Sequence, residues 1–126
     1  MKFMPNDDSL TIEFQGGEML LALKRRLVIP RENIVDLKWL PEYDYQGMLL
    51  RIGGTGMPKV LYAGRFFDVR TKERLFLYVR RPESFKFSGS VAGANMLVIK
   101  TNDFPYAEVL LTCEPDIGAS LMNWWG

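Results

Sequence analysis

The strongest constraint in this chain is a period of two. Apolar and polar residues alternate over short runs, and turn-forming residues interrupt the runs every few positions. Alternation puts every second side chain on one face of a strand, so it commits a chain to half-buried β-sheet. Leu10, Ile12 and Phe14 share one face of a first strand, opposite Thr11, Glu13 and Gln15. Gly16-Gly17 has the freedom in φ that a two-residue hairpin turn needs. A second strand is expected from Met19 through Lys24-Arg25-Arg26 to Ile29, bulged, bent or edge-exposed at the basic triplet. Pro30 ends it, and after a short turn Val35, Leu37 and Trp39 face a core opposite Asp36 and Lys38. Loops are expected over 41–47 and 53–58, flanking a strand through Met48, Leu50 and Ile52. Strands follow over 60–69 and 75–79, joined by the polar turn Arg70-Thr71-Lys72-Glu73, and over 96–100 and 106–113. The Ser-, Gly- and Ala-rich stretch from Arg80 to Ala94 reads as irregular.

After Glu114 the period changes. Ile117, Leu121 and Trp124 stand at i, i+4 and i+7, one apolar stripe of a helix, with Pro115 allowed in its first turn. The 126 residues, 48% apolar and 25% charged, suit a single domain with its own core, and nothing marks a linker or repeat. The expected fold is mainly β: a small barrel or bent sandwich of about seven antiparallel strands, closed by a C-terminal amphipathic helix. The longest apolar run, Met19 to Leu23, is far below the roughly 20 residues that cross a bilayer. Residues 1–10 lack the apolar core of a signal peptide. With a lone Cys113 unable to form an internal disulfide, these features point to the cytoplasm.

A series of short motifs carries a family resemblance. Ile29-Pro30-Arg31-Glu32-Asn33-Ile34 leads into a strand, followed by Gly53 and Gly54 and then Tyr62-Ala63-Gly64-Arg65-Phe66. The strand 75–80, Leu97-Val98-Ile99 to Tyr106, and Glu114-Pro115-Asp116 before the helix complete it. From Leu10 onward this series resembles the bacterial PH-like domains of the pleckstrin-homology superfold. The resemblance implies a PH-like domain over 1–126 and assigns no ligand. Phosphoinositide-binding members set spaced basic residues around their first hairpin, whereas Gln15-Gly16-Gly17-Glu18 here carries an acid. Phosphoinositide recognition is therefore not expected.

The residue types argue against catalysis. Histidine is absent, which removes the commonest general base and any Cys-His or Ser-His pair. No cofactor or metal is called for. Gly53-Gly54-Thr55-Gly56-Met57-Pro58-Lys59 lacks the Gly-Lys-Ser/Thr order of a phosphate loop, and Pro58 has no amide to donate. The favoured reading is a non-catalytic module that self-associates or docks a protein partner. Trp124 and Trp125 cannot point the same way along a helix, so one ring seals the core and the other marks an interface. An alternative reading is a peripheral binder of anionic lipid or nucleic acid using Arg65, Arg70, Lys72, Arg74, Arg80 and Arg81. The net charge of +1, with Asp68, Glu73 and Glu83 interleaved, makes nucleic acid a poor fit. A further alternative is a small-molecule carrier using the mouth of the barrel.

Overall fold

A computed structural model describes residues 1–57, 59–82, 84–85 and 91–126. The fold is mainly β, with two sheets and a C-terminal helix. Three strands, β1 (Lys2–Pro5), β2 (Ser9–Glu13) and β3 (Arg26–Pro30), form a small antiparallel sheet in that order. The larger sheet takes β4 (Ile34–Tyr45), β5 (Leu49–Met57), β6 (Leu61–Asp68), β7 (Glu73–Arg80), β8 (Ser84–Phe85), β9 (Val91–Thr101) and β10 (Glu108–Thr112). Its order is β4-β9-β10-β7-β6-β5, with β8 paired to the start of β9. Two helices complete the chain, α1 (Gly17–Ala22) and α2 (Pro115–Trp125).

The larger sheet is buried on both faces. Leu75 to Val79 on β7 are buried consecutively, the signature of a strand with apolar cover on either side. On the outer face, Phe76, Tyr78, Ile99, Val109 and Leu111 meet Leu10, Ile12, Phe14, Leu27 and Ile29 of the small sheet, together with Leu121 of α2. Phe14 and Tyr106 each pack on Phe76 with ring centroids 5.4 Å apart, good geometry for aromatic pairs. On the inner face, Tyr62, Phe66, Leu75, Leu77, Val79, Met96, Val98 and Leu110 form a second core, partly covered by Tyr43, Tyr45 and Leu49. Those three come from the outermost strands, so the sheet covers its own inner face by curling.

Several expectations are corrected. The barrel is not closed, since among the described residues no ladder joins β4 to β5. The sheet is not wholly antiparallel, because β10 enters parallel to β7, with Val109 opposite Phe76. Gly16-Gly17 does not make a hairpin turn: Gly17 opens α1, which occupies residues assigned to the second strand and leaves only Arg26–Pro30 extended. Local α geometry wins here because Glu18, Leu21 and Ala22, at i, i+3 and i+4, turn inward while Met19 and Leu20 face out. The loops expected at 41–47 and 53–58 are largely strand, through Tyr45 in β4 and through Met57 in β5. Val35 points outward, because a bulge between Ile34 and Asp36 shifts the register and buries Ile34 and Leu37 instead. The helix stripe also turns slightly, burying Gly118 and Leu121 while Ile117 stays exposed. Pro58, Glu83 and part of the expected irregular stretch, residues 86–90, lie outside the described residues.

Strand β5 stays extended through its glycines because β6 comes unusually close. Gly54 faces Gly64 across the ladder, and their φ values of 116° and 119° disfavour any side chain. A Cβ on Gly54 would lie 2.1 Å from the Ala63 carbonyl oxygen, a clash with backbone. Gly118 has a packing role instead, since a Cβ there would lie 2.3 Å from Cδ1 of Trp39. Gly54→Ala is expected to lower unfolding free energy by about 2–5 kcal/mol in urea titration, combining strain and overpacking. Gly56→Ala, whose Cβ would meet nothing nearer than 3.5 Å, is expected to change it little.

Candidate functional site

Asp68 ties the curled sheet. It is the one charged side chain in the buried core among the described residues, 1% exposed, at the end of β6. The Tyr45 hydroxyl on β4 donates to its Oδ2 at 2.5 Å, and the amides of Arg70 and Met48 donate to its Oδ1 at 2.9 and 3.3 Å. Residues 46–48 alone connect β4 to β5, so the facing ends of these outermost strands lie within about 14 Å. Burial pushes the Asp68 carboxyl up. The Tyr45 hydroxyl and the amides of Arg70, Met48 and Thr71 outweigh it and hold the group below the usual carboxylate range. Burial and the Asp68 carboxylate push the Tyr45 phenol up in turn. This cluster is a latch, with every partner already engaged.

A second cluster fixes α2. The Arg31 guanidinium donates to the carbonyls of Trp124 and Trp125 at 3.2 and 2.9 Å, and stands 5.4 and 5.7 Å from their ring centroids. It therefore supplies positive charge at a helix C-terminus and stacks on both rings. Trp124 Nε1 also donates to the Asn6 carbonyl at 2.8 Å. Trp124 and Trp125 are both half-buried against the outer core. The sequence reading missed Arg31; a basic residue after a proline, far from the helix it caps, gives no local signal.

The six basic residues do not converge. Arg70 and Lys72 sit at the β6–β7 turn with Arg74 beside it, while Arg80 and Arg81 lie at the far end of that hairpin. Five residues of strand, Leu75 to Val79, separate Arg74 from Arg80, about 20 Å. Arg65 lies between them, its guanidinium over Gly53 of β5. Arg80 pairs with Glu18 at 3.0 Å and stacks on Tyr78.

The remaining chemistry is sparse. Cys113 is buried, and burial followed by the charges of Asp116 and Glu114 pushes its thiol up to about 11, which keeps it protonated at neutral pH. Glu108 carries a buried Oε2 without a hydrogen-bond partner; burial pushes its carboxyl up against the pull of Lys100. No group of three or more metal-ligating side chains occurs among the described residues, and no helix there is long and apolar enough to cross a membrane. A cleft of about 800 Å³ beside Asp7, Asp8, Glu32 and Trp125 opens broadly to solvent, and its one cation, Arg31, is committed to α2.

The two outer edges of the large sheet differ sharply. β4 carries Asp36, Lys38, Glu42 and Asp44, is interrupted by Pro41, and lies against α2. Charge, proline and a covering helix are the usual means of blocking an edge. β5 carries a single charge, Arg51, and exposes Leu50 (58%), Ile52 (52%) and Met57. Among the described residues its backbone pairs only with β6. α1 packs beside it, with Thr55 Oγ1 donating to the Leu21 carbonyl at 2.8 Å, and adds exposed Leu20 (79%) and Leu23. The alternation around Leu50 and Ile52 was visible in the sequence. That it belongs to an open edge depends on the order of the strands.

The chain matches no protein-family model, no curated protein and no solved structure.

Two outcomes are expected from these clusters. Arg31→Ala and Trp125→Ala should each lower stability in denaturant, the first by about 1–2 kcal/mol, through lost carbonyl and ring contacts. For Asp68 the folded carboxyl titrates below its unfolded value, so its contribution is present above about pH 4 and is lost as pH falls through the folded value. Urea midpoints measured from pH 7 down to pH 2.5 should therefore fall in the wild type below pH 4. That part of the drop should be missing in Asp68→Asn, which starts from a lower midpoint.

Proposed function

We propose that this chain is a non-catalytic binding module of PH-like kind that docks another protein chain by strand addition at β5. The observation that carries this reading is the contrast between the two ends of one sheet. β4 is charged and interrupted by proline; β5 is apolar and glycine-rich, with α1 at its flank. An exposed edge offers unpaired amides and carbonyls to an extended segment, and flanking side chains choose which segment fits. Leu50, Ile52 and Met57, with Leu20 and Leu23 beside them, provide apolar anchors of the kind that bury on association.

The PH-like assignment draws support from the short motifs and from a helix that follows the last strand and packs on the sheet. The parallel pairing of β7 with β10 departs from the all-antiparallel arrangement first expected. The non-catalytic reading draws support from residue chemistry: no histidine, a protonated buried thiol, and Asp68 and Glu18 held in a latch and in ion pairs.

Site-directed photocrosslinking tests the docking surface without presuming a partner. A photoreactive phenylalanine at position 52, in the chain expressed in its own cells, is expected to yield a discrete protein adduct on illumination. The same probe at position 35, on the blocked β4 edge, is expected to yield none. Absence of an adduct at 52, or equal adducts at both positions, overturns this reading.

A further inference from the structure

Resting on the docking reading of β5, we infer that the segment it takes is an extended acidic peptide carrying two carboxylates three residues apart, one for Arg65 and one for Arg51. Both arginines lie against glycines of the edge strand. Gly53 pairs with Arg65 across the ladder, and Nη2 of Arg65 stands 3.0 Å from the point a Cβ of Gly53 would occupy. Arg51 reaches along its own strand, with Nη1 3.5 Å from the corresponding point of Gly56. Glycine at these two positions leaves room for a guanidinium at the edge.

The two cations flank the edge from opposite faces. Arg65 shares a face of β6 with Ala63, which belongs to the outer core, whereas Gly56 pairs with Tyr62, which belongs to the inner core. A strand added beside β5 would run about 4.8 Å away and turn its side chains alternately to the two faces. Its residues opposite Gly53 and Gly56 are three apart, so one faces Arg65 and the other Arg51. A flat lipid surface meets only one face of a strand and cannot take both guanidiniums. The arrangement therefore favours a peptide.

These charges are unanswered among the described residues. Neither arginine has an ion-pair partner there, and both side chains are exposed. The one acid on β5 and β6 is Asp68, which is buried and held by Tyr45. Glu18 of α1 is taken by Arg80 and by the amino terminus, at 3.0 and 2.6 Å. A carboxylate on an incoming strand would therefore meet a guanidinium not committed to another acid, the pairing in which arginine and carboxylate form two parallel hydrogen bonds. Exposed Leu50, Ile52 and Met57 bracket the glycines and offer cover for apolar residues outside the acid pair.

Selection of random peptides displayed on phage against the purified full chain, with circular dichroism to report folding, tests this. Peptides enriched on the wild type are expected to carry Asp or Glu at two positions three apart. Their affinity is expected to fall about tenfold for Arg51→Gln and about tenfold for Arg65→Gln, the loss of one charge-assisted pair in each case. Dichroism should be unchanged, since both side chains are exposed. Enriched peptides without the acid pair, or acidic peptides that bind both variants as tightly as the wild type, overturn the inference. A wild type that enriches no peptide also overturns it, as do phosphatidylserine vesicles that displace the peptides and bind through the same two arginines. If the adduct at position 52 forms in any of these cases, strand docking stands and its occupant has other chemistry. Without that adduct the docking reading falls as well.

Discussion

Apolar side chains on both faces of the central strands set the terms for the rest of this fold. β7, β9 and β10 bury residues on either side, and in water such strands must be covered twice. The small sheet and α2 cover the outer face. No comparable element of the described chain covers the inner face, so the sheet closes over it by bending until Tyr43, Tyr45 and Leu49 of its two outermost strands reach the inner core. The three-residue link between β4 and β5 enforces that bend, and Asp68 holds it by taking the Tyr45 hydroxyl and the Met48 amide together. Burying a carboxylate is costly unless its oxygens are satisfied, and here the partners come from both sides of the bend. The latch therefore works only in the curled shape, which makes Asp68 a test of curvature as well as a contributor to stability.

Much of the β content was legible in the sequence because its signals are local. Strict alternation marked Leu10 to Phe14, and short apolar runs between turn residues marked β6, β7 and the Met96 to Lys100 part of β9. The change to helical spacing after Glu114 located α2 to within a residue. What failed to appear was set by contacts distant in sequence. Gly16-Gly17 has the composition of a hairpin turn, yet packing of Leu21 and Ala22 against the β-sheet made the following residues helical. Gly53-Gly54 has the composition of a loop. Its extended form needs Gly64 opposite, and no pattern within β5 announces that partner. The parallel entry of β10 beside β7 is likewise invisible, because alternation fixes which face a residue takes and leaves strand order open.

The candidate site was legible only in pieces, for the same reason. Arg65 to Arg81 form a basic cluster along the chain, but a hairpin carries its two ends apart, so nearness in sequence became distance in space. Trp124 and Trp125 are adjacent aromatics that suggested one buried ring and one exposed. Arg31, 93 residues away from Trp124, holds both against the core. Conversely, Leu50 and Ile52 read only as members of a short strand, and the strand order placed them at an edge. Exposure of single apolar residues is common on protein surfaces, so neither would carry an argument alone. Their weight comes from lying on the same unblocked strand.

The asymmetry of the two edges then bears on how any assembly ends. A sheet with two open edges can grow without limit, each added copy presenting a new edge to the next. In this fold Pro41, four charged side chains and α2 guard β4, while the bulge at Ile52 interrupts the regular ladder of β5. The first arrangement forbids addition at one end, and the second limits which strands fit at the other. The two edges therefore differ in charge, in proline and in backbone regularity, and β5 combines exposed Leu50, Ile52 and Met57 with a single charge, Arg51.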